Sequence, residues 1–139
     1  MYRNVLIPLD LSEREHTLVE SAARIIDPET GSVTLLHVIE EIEGLAGEEG
    51  ELFYAGLRER AGKVLEARAG LFGRSGIGIR QEIIVGKRAS AIVGFASEQR
   101  CDLIVMSAER IDPAQPERSL WSTPQKVSLL ADCPILLIR

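Results

Sequence analysis

At 139 residues the chain has the length of one domain of common size, able to bury a core without disulfide or metal staples. It is 45% hydrophobic and 27% charged, an ordinary composition for a soluble globular protein, and its net charge of −5 argues against nucleic acid or an anionic membrane as partner. No apolar run approaches the roughly 18 residues of a membrane helix, and Met1-Tyr2-Arg3-Asn4 is not the start of a secretory signal; the cytoplasm is the expected address.

Val5-Leu6-Ile7-Pro8-Leu9 reads as a first strand closing on Asp10. Ser12-Glu13-Arg14-Glu15 has the spacing of a capping box, in which hydroxyl and carboxylate reciprocally satisfy the exposed N–H groups of a helix start. Leu18, Val19, Ala22, Ala23 and Ile26 then form one helical stripe, and Asp27-Pro28-Glu29-Thr30-Gly31 stops it. Ser32 to Val38 is the second strand. Glu40 to Glu51 carries six glutamates, three glycines and no base, the composition of a solvated loop. A helical pattern runs from Leu52 to about Leu71 through Leu57, Ala61, Val64, Leu65 and Arg68, until Gly73-Arg74-Ser75-Gly76 breaks it. Ile77 to Val85 reads as a strand with one wetter face, as at a sheet edge. Gly86-Lys87-Arg88 turns into a third helix bearing Ala89, Ile92, Val93 and Ala96, and Lys87-Arg88 is read as a solvated basic pair.

Leu103 to Met106 is the fourth strand. It and Pro134-Ile135-Leu136-Leu137-Ile138-Arg139 are short, continuously apolar runs, as expected of parallel strands buried on both faces. Between them lie a loop from Ser107 to Ser119 and a short helix capped by Ser122 or Thr123, with Pro124 in its first turn and Gln125 at capping-box spacing. The sum is βαβαβαβαβ, without repeat or linker: a single α/β domain over residues 1–139, a doubly wound parallel sheet with helices on both faces. In such a sheet ligands sit beyond the carboxyl ends of the strands.

Little else in the chain carries chemistry. Cys101 and Cys133 form no CxxC and read as buried bystander thiols. His16 falls on the exposed side of the first helix, and His37, between apolar neighbours, reads as a hydrogen-bonded structural residue. Neither has a partner at metal-ligand spacing. No GxSxG elbow surrounds Ser12, Ser107 or Ser122, so no catalytic residue, metal or cofactor is expected.

The chain resembles the universal stress protein family along essentially its whole length. The resemblance is carried by Val5 to Ser12, Leu35-Leu36-His37-Val38, Val85-Gly86-Lys87-Arg88-Ala89, Asp102-Leu103-Ile104-Val105-Met106 and Cys133-Pro134-Ile135-Leu136-Leu137-Ile138, in order and at family spacing. It implies five parallel strands in order 3-2-1-4-5, with a crevice between the ends of strands one and four. Members that bind ATP carry Gly-x2-Gly-x9-Gly-Ser/Thr after the fourth strand, where the glycines let backbone N–H groups approach the phosphates. In this chain Ser107 and Arg110 stand at the first two glycine positions, and Leu120 or Trp121 near the third, with Ser122 as the hydroxyl partner. Pro113 and Pro116 remove two further donors. The resemblance therefore implies a stress-response module, not an enzyme, that does not bind ATP through the family's glycine loop and works through protein partners or an unspecified small ligand. The alternative is an adenine-nucleotide sensor taking ATP or AMP with magnesium in an altered loop, with slow hydrolysis. Its binding set would be Pro8, Leu9, Asp10, Val38, Met106, Ser107, Arg110 and Ser122. An enzyme of the wider nucleotide-hydrolase group ranks third. The last strand, an apolar run at a sheet edge, would aggregate unless paired. A homodimer through Pro134, Ile135, Leu136, Leu137 and Ile138 is expected, as in the family.

Overall fold

The computed structural model describes residues 1–12, 15–108 and 112–139, and the side chains of all of these except 118–120. Five strands, β1 (Asn4–Pro8), β2 (Ser32–Glu40), β3 (Gly78–Gly86), β4 (Leu103–Ser107) and β5 (Ile135–Ile138), form one sheet in the order 3-2-1-4-5. Every pairing is parallel. Four helices connect them: α1 (Glu15–Ala23), α2 (Gly47–Gly70), α3 (Arg88–Glu98) and α4 (Thr123–Leu130), the last preceded by a 3-10 turn, Pro116–Trp121.

The apolar runs make the core directly. Strand residues alternate between faces, so Val5, Ile7, Val33, Leu35 and Leu103 pack with Leu18 and Val19 of α1 and Leu65 of α2. Leu6, Leu36, Val38, Ile104 and Met106 pack on the other face with Ile92 of α3 and Val127 of α4. Asp102 locks β4 to β1, its carboxylate accepting the backbone N–H groups of Arg3 and Asn4 at 3.0 Å each. At Gly31 the turn into β2 brings the backbone back on itself; a Cβ there would collide with the Asp27 carbonyl.

Several boundaries differ from the sequence reading, and α1 ends at Ala23, short of Ile26. β2 runs on to Glu40. α2 begins at Gly47, so half of the acidic stretch expected as a loop is helix; Glu48 and Glu49 sit in its first turn, where the helix dipole favours negative charge. The capping box before α1 does not form, since the Ser12 N–H goes to the Asp10 side chain and not to Glu15. The Glu15 carboxylate turns back to accept the Asp10 N–H at 2.9 Å, and the Ser12 hydroxyl is buried without a hydrogen-bond partner. The helix cap at Ser122 forms as read, its Oγ accepting the Gln125 N–H at 3.3 Å. His37 is held structurally, Nδ1 lying 2.8 Å from the Leu9 carbonyl oxygen. Both thiols are free, Cys101 buried and Cys133 half-buried, and burial pushes both upward in pKa, Cys101 to about 11. Thiolate is scarce in that state, so their reactivity is low.

The two edges of the sheet are unlike. Along β3, Arg80 and Glu82 pair at 3.4 Å and Arg58 of α2 donates to the Ile83 carbonyl at 3.2 Å. β5 carries no charge; Leu136, on the face away from α4, is 38% exposed.

Candidate functional site

Strand order reverses beside β1, which has β2 on one side and β4 on the other. The connections from these strands leave to opposite faces and open a crevice at their carboxyl ends. A cavity of about 510 Å³ lies there, within the size range of small-molecule sites. Its base is apolar, made by Leu36, Val38, Ile92 and Met106, each at most 5% exposed. Pro8, Leu9 and Asp10 form one wall; Ser107 and Ala108, at the end of β4, form another. The start of α4, Ser122 to Gln125, closes the side toward β5.

Of the residues singled out in the sequence, Pro8, Leu9, Asp10, Val38, Met106, Ser107 and Ser122 thus come together on one cavity. Arg110 lies outside the described residues. Pro134 and Ile135 are remote from this lining, whereas Leu137 reaches it from β5. Trp121 is largely exposed. The sequence reading missed Glu15, Arg88, Gln115 and Arg139, which also line the cavity. Arg88 is exposed, as read, and its Nε lies 3.6 Å from a carboxylate oxygen of Glu40, which is exposed as well. An acidic residue closing β2 and a basic one opening the next helix on that side was the available signal.

The walls are charged unevenly. Asp10, Glu15 and Asp112 bring carboxylates, and Arg88 and Arg139 bring guanidinium groups. The α4 N-terminus offers few donors to an anion. Pro124 has no N–H, and the Gln125 N–H is given to the Ser122 hydroxyl. Glu15 is the most constrained of these groups, its side chain 1% exposed. One oxygen accepts the Asp10 N–H, and the other lies 3.5 Å from Arg68 Nε of α2. Arg68 in turn donates through Nη2 to the Ser12 carbonyl at 3.0 Å. Burial, then the neighbouring charge of Asp10, raises the Glu15 carboxyl to about 7 against the opposing pull of Arg68 and the turn's N–H groups. Among the described residues no group of three or more His, Cys, Asp or Glu side chains could hold a metal ion, and no helix is long and apolar enough to cross a membrane.

A doubly wound domain with a ligand-sized cavity at its switch point belongs to the class of α/β folds built to bind small molecules at strand ends. The chain is a member of the universal stress protein family, whose model matches residues 1–139. It is 27% identical over 138 residues to universal stress protein Sll1654 of Synechocystis, covering 99% of this chain and 86% of that one. Among solved structures it is similar to hypothetical protein MJ0577, at a TM-score of 0.82 and 25% identity over 99% of this chain and 96% of the other. A universal stress protein in complex with cAMP superposes with a TM-score of 0.76 at 18% identity, covering 99% of this chain and 97% of that one. The universal stress protein of Archaeoglobus fulgidus in complex with dAMP does so with a TM-score of 0.72 at 20%, covering 99% and 98%. The last two establish likeness of fold; nucleotide binding is present within the family.

Proposed function

We propose that this chain is a non-enzymatic, cytoplasmic stress-response module that pairs with a second copy through β5. Its crevice takes the nucleoside part of an adenine nucleotide, with at most a single phosphate, and does not hold Mg-ATP through a glycine loop. The observation that carries this reading is the contrast within one cavity between its base and its rim. The apolar base of Leu36, Val38, Ile92 and Met106 suits a flat, weakly polar ring, and Asp10 and Ser107 beside it suit hydroxyl and amino groups. The rim where phosphates would sit carries Ser107 and no glycine there, a proline in the first turn of α4 and a Gln125 N–H already engaged. Three carboxylates against two guanidinium groups further disfavour a triphosphate. The cAMP and dAMP held by relatives supply the chemistry to try.

Arg88 and Arg139 on the rim favour the second reading, a sensor that holds ATP or AMP with magnesium through these cations and Ser122. Calorimetric titration with adenosine, AMP and Mg-ATP separates the two. Saturable binding of adenosine and AMP, with ATP weaker, is the expected result. ATP binding clearly tighter than AMP would replace this reading by the sensor, and no heat from any of the three would remove the nucleoside from the crevice.

A further inference from the structure

Three buried side-chain polar atoms among the described residues lack a hydrogen bond: Ser12 Oγ, and Glu15 Oε1 and Arg68 Nε, which face each other as an ion pair at 3.5 Å. All three meet at one place, the turn between β1 and α1. Buried polar atoms are nearly always satisfied, and a cluster of exceptions asks for a reason. The turn itself is unusual. Leu11 holds φ +69°, a left-handed conformation that disfavours a non-glycine residue. The Ser12 N–H folds back on the Asp10 side chain at 2.9 Å. This backbone aims the successive N–H groups of Asp10 and Leu11 at one carboxylate, that of Glu15. Convergent N–H groups beside a guanidinium are the makings of an anion site. Here the anion is the chain's own side chain, and that side chain lines the cavity.

We propose that Glu15 is the charge gate of the crevice, its carboxylate occupying the anion site of the β1–α1 turn and disfavouring a phosphate-bearing ligand, its neutral carboxyl admitting one. The inference rests on the reading that the crevice takes an adenine nucleoside, and it names what sets the choice between nucleoside and nucleotide. The groups that face Glu15 are Asp10 from its own turn and Arg68 from α2; across the cavity stand Arg88 of α3, Asp112 of the loop after β4, and Arg139. With the carboxyl titrating at about 7, the gate changes state near neutrality. A ligand that requires the neutral form binds in proportion to the fraction that is neutral, which falls about tenfold from pH 6 to pH 8.

The test compares adenosine with cAMP, whose single phosphodiester charge does not itself titrate in this range, by calorimetry at pH 6 and pH 8. The expected result is that the ratio of cAMP to adenosine dissociation constants rises by several-fold, and by no more than about tenfold, between the two pH values. In Glu15→Gln the ratio stays at its low-pH value at both. In the ligand-free wild type, the amide resonances of Asp10 and Leu11 shift with a midpoint near 7, a readout that does not depend on the variant folding. A flat ratio with both ligands bound overturns the gate and leaves the crevice reading standing. A pH-dependent ratio that persists in Glu15→Gln assigns the effect to another group and also overturns it. Failure of both ligands to bind removes the crevice reading and the gate together.

Discussion

Glu15→Gln keeps the shape of a buried side chain and takes away its charge, so it converts a carboxyl held at about 7, against an ordinary 4.5, into a pH dependence of stability. The folded protein grips this proton more tightly than the unfolded chain. Between the two values the unfolded chain has given up a proton that the folded one keeps, so stability falls as pH rises through this window and levels off above about 7. From pH 5 to pH 8 the loss integrates to about 2–3 kcal/mol. The Arg68 ion pair at 3.5 Å is already inside that figure, since the guanidinium lowers the pKa that burial and Asp10 raise. Urea unfolding of both proteins at pH 5 and pH 8, at one protein concentration so that any association contributes equally, gives the difference between them. Glutamine cannot ionise, so the stability of the variant relative to wild type moves in the variant's favour by about 2–3 kcal/mol on going to pH 8. Parallel profiles, with the gap between the proteins unchanged within about 0.5 kcal/mol, would show that Glu15 is ionised in both states at both pH values and would refute the account of its burial.

Two further outcomes are expected. Leu136→Lys places a charge on the exposed apolar position of β5 and converts a dimer into a monomer by light scattering at micromolar concentration; a wild type that is already monomeric there refutes the pairing. Asp102→Ala strips the acceptor from the Arg3 and Asn4 N–H groups, both at 3.0 Å, and lowers unfolding stability by about 1–3 kcal/mol; an unchanged urea midpoint shows that water replaces the carboxylate at no cost.

The fold is written in the short apolar runs and their spacing. Val5 to Pro8 and Leu103 to Met106 are continuous because both faces of a central parallel strand are covered, and the helical stripes between them leave few other arrangements. Val38 and Met106 were placed at the cavity by the family resemblance, and both stand near the carboxyl ends of central strands. The acidic stretch was harder. Gly44, Gly47 and Gly50 among like charges argue locally for a loop, and only the dipole of a helix that continues far beyond them makes Glu48 and Glu49 a favourable first turn. Glu15 was seen to turn back on the backbone, but its burial could not be read, because the wall over it is Arg68, supplied by a helix reached only after another strand. The pairing of the solvated Arg88 with Glu40 escaped the sequence reading for a like reason: the two are close in space and distant in the chain. Side chains whose role depends on one neighbour brought in by the tertiary fold leave no periodic trace.

The contrast between the two margins of the sheet sets how many copies can join. An unguarded margin on both sides would let sheets add end to end without limit, the route to fibres. Here Arg58 occupies the Ile83 carbonyl and Arg80 and Glu82 stand along the same strand, so β3 is closed to a newcomer. β5 carries no such guard among its described residues. In the pairing proposed above it would be used once per chain, so association would end when two copies had met and the apolar strand could stay at the margin without polymerising.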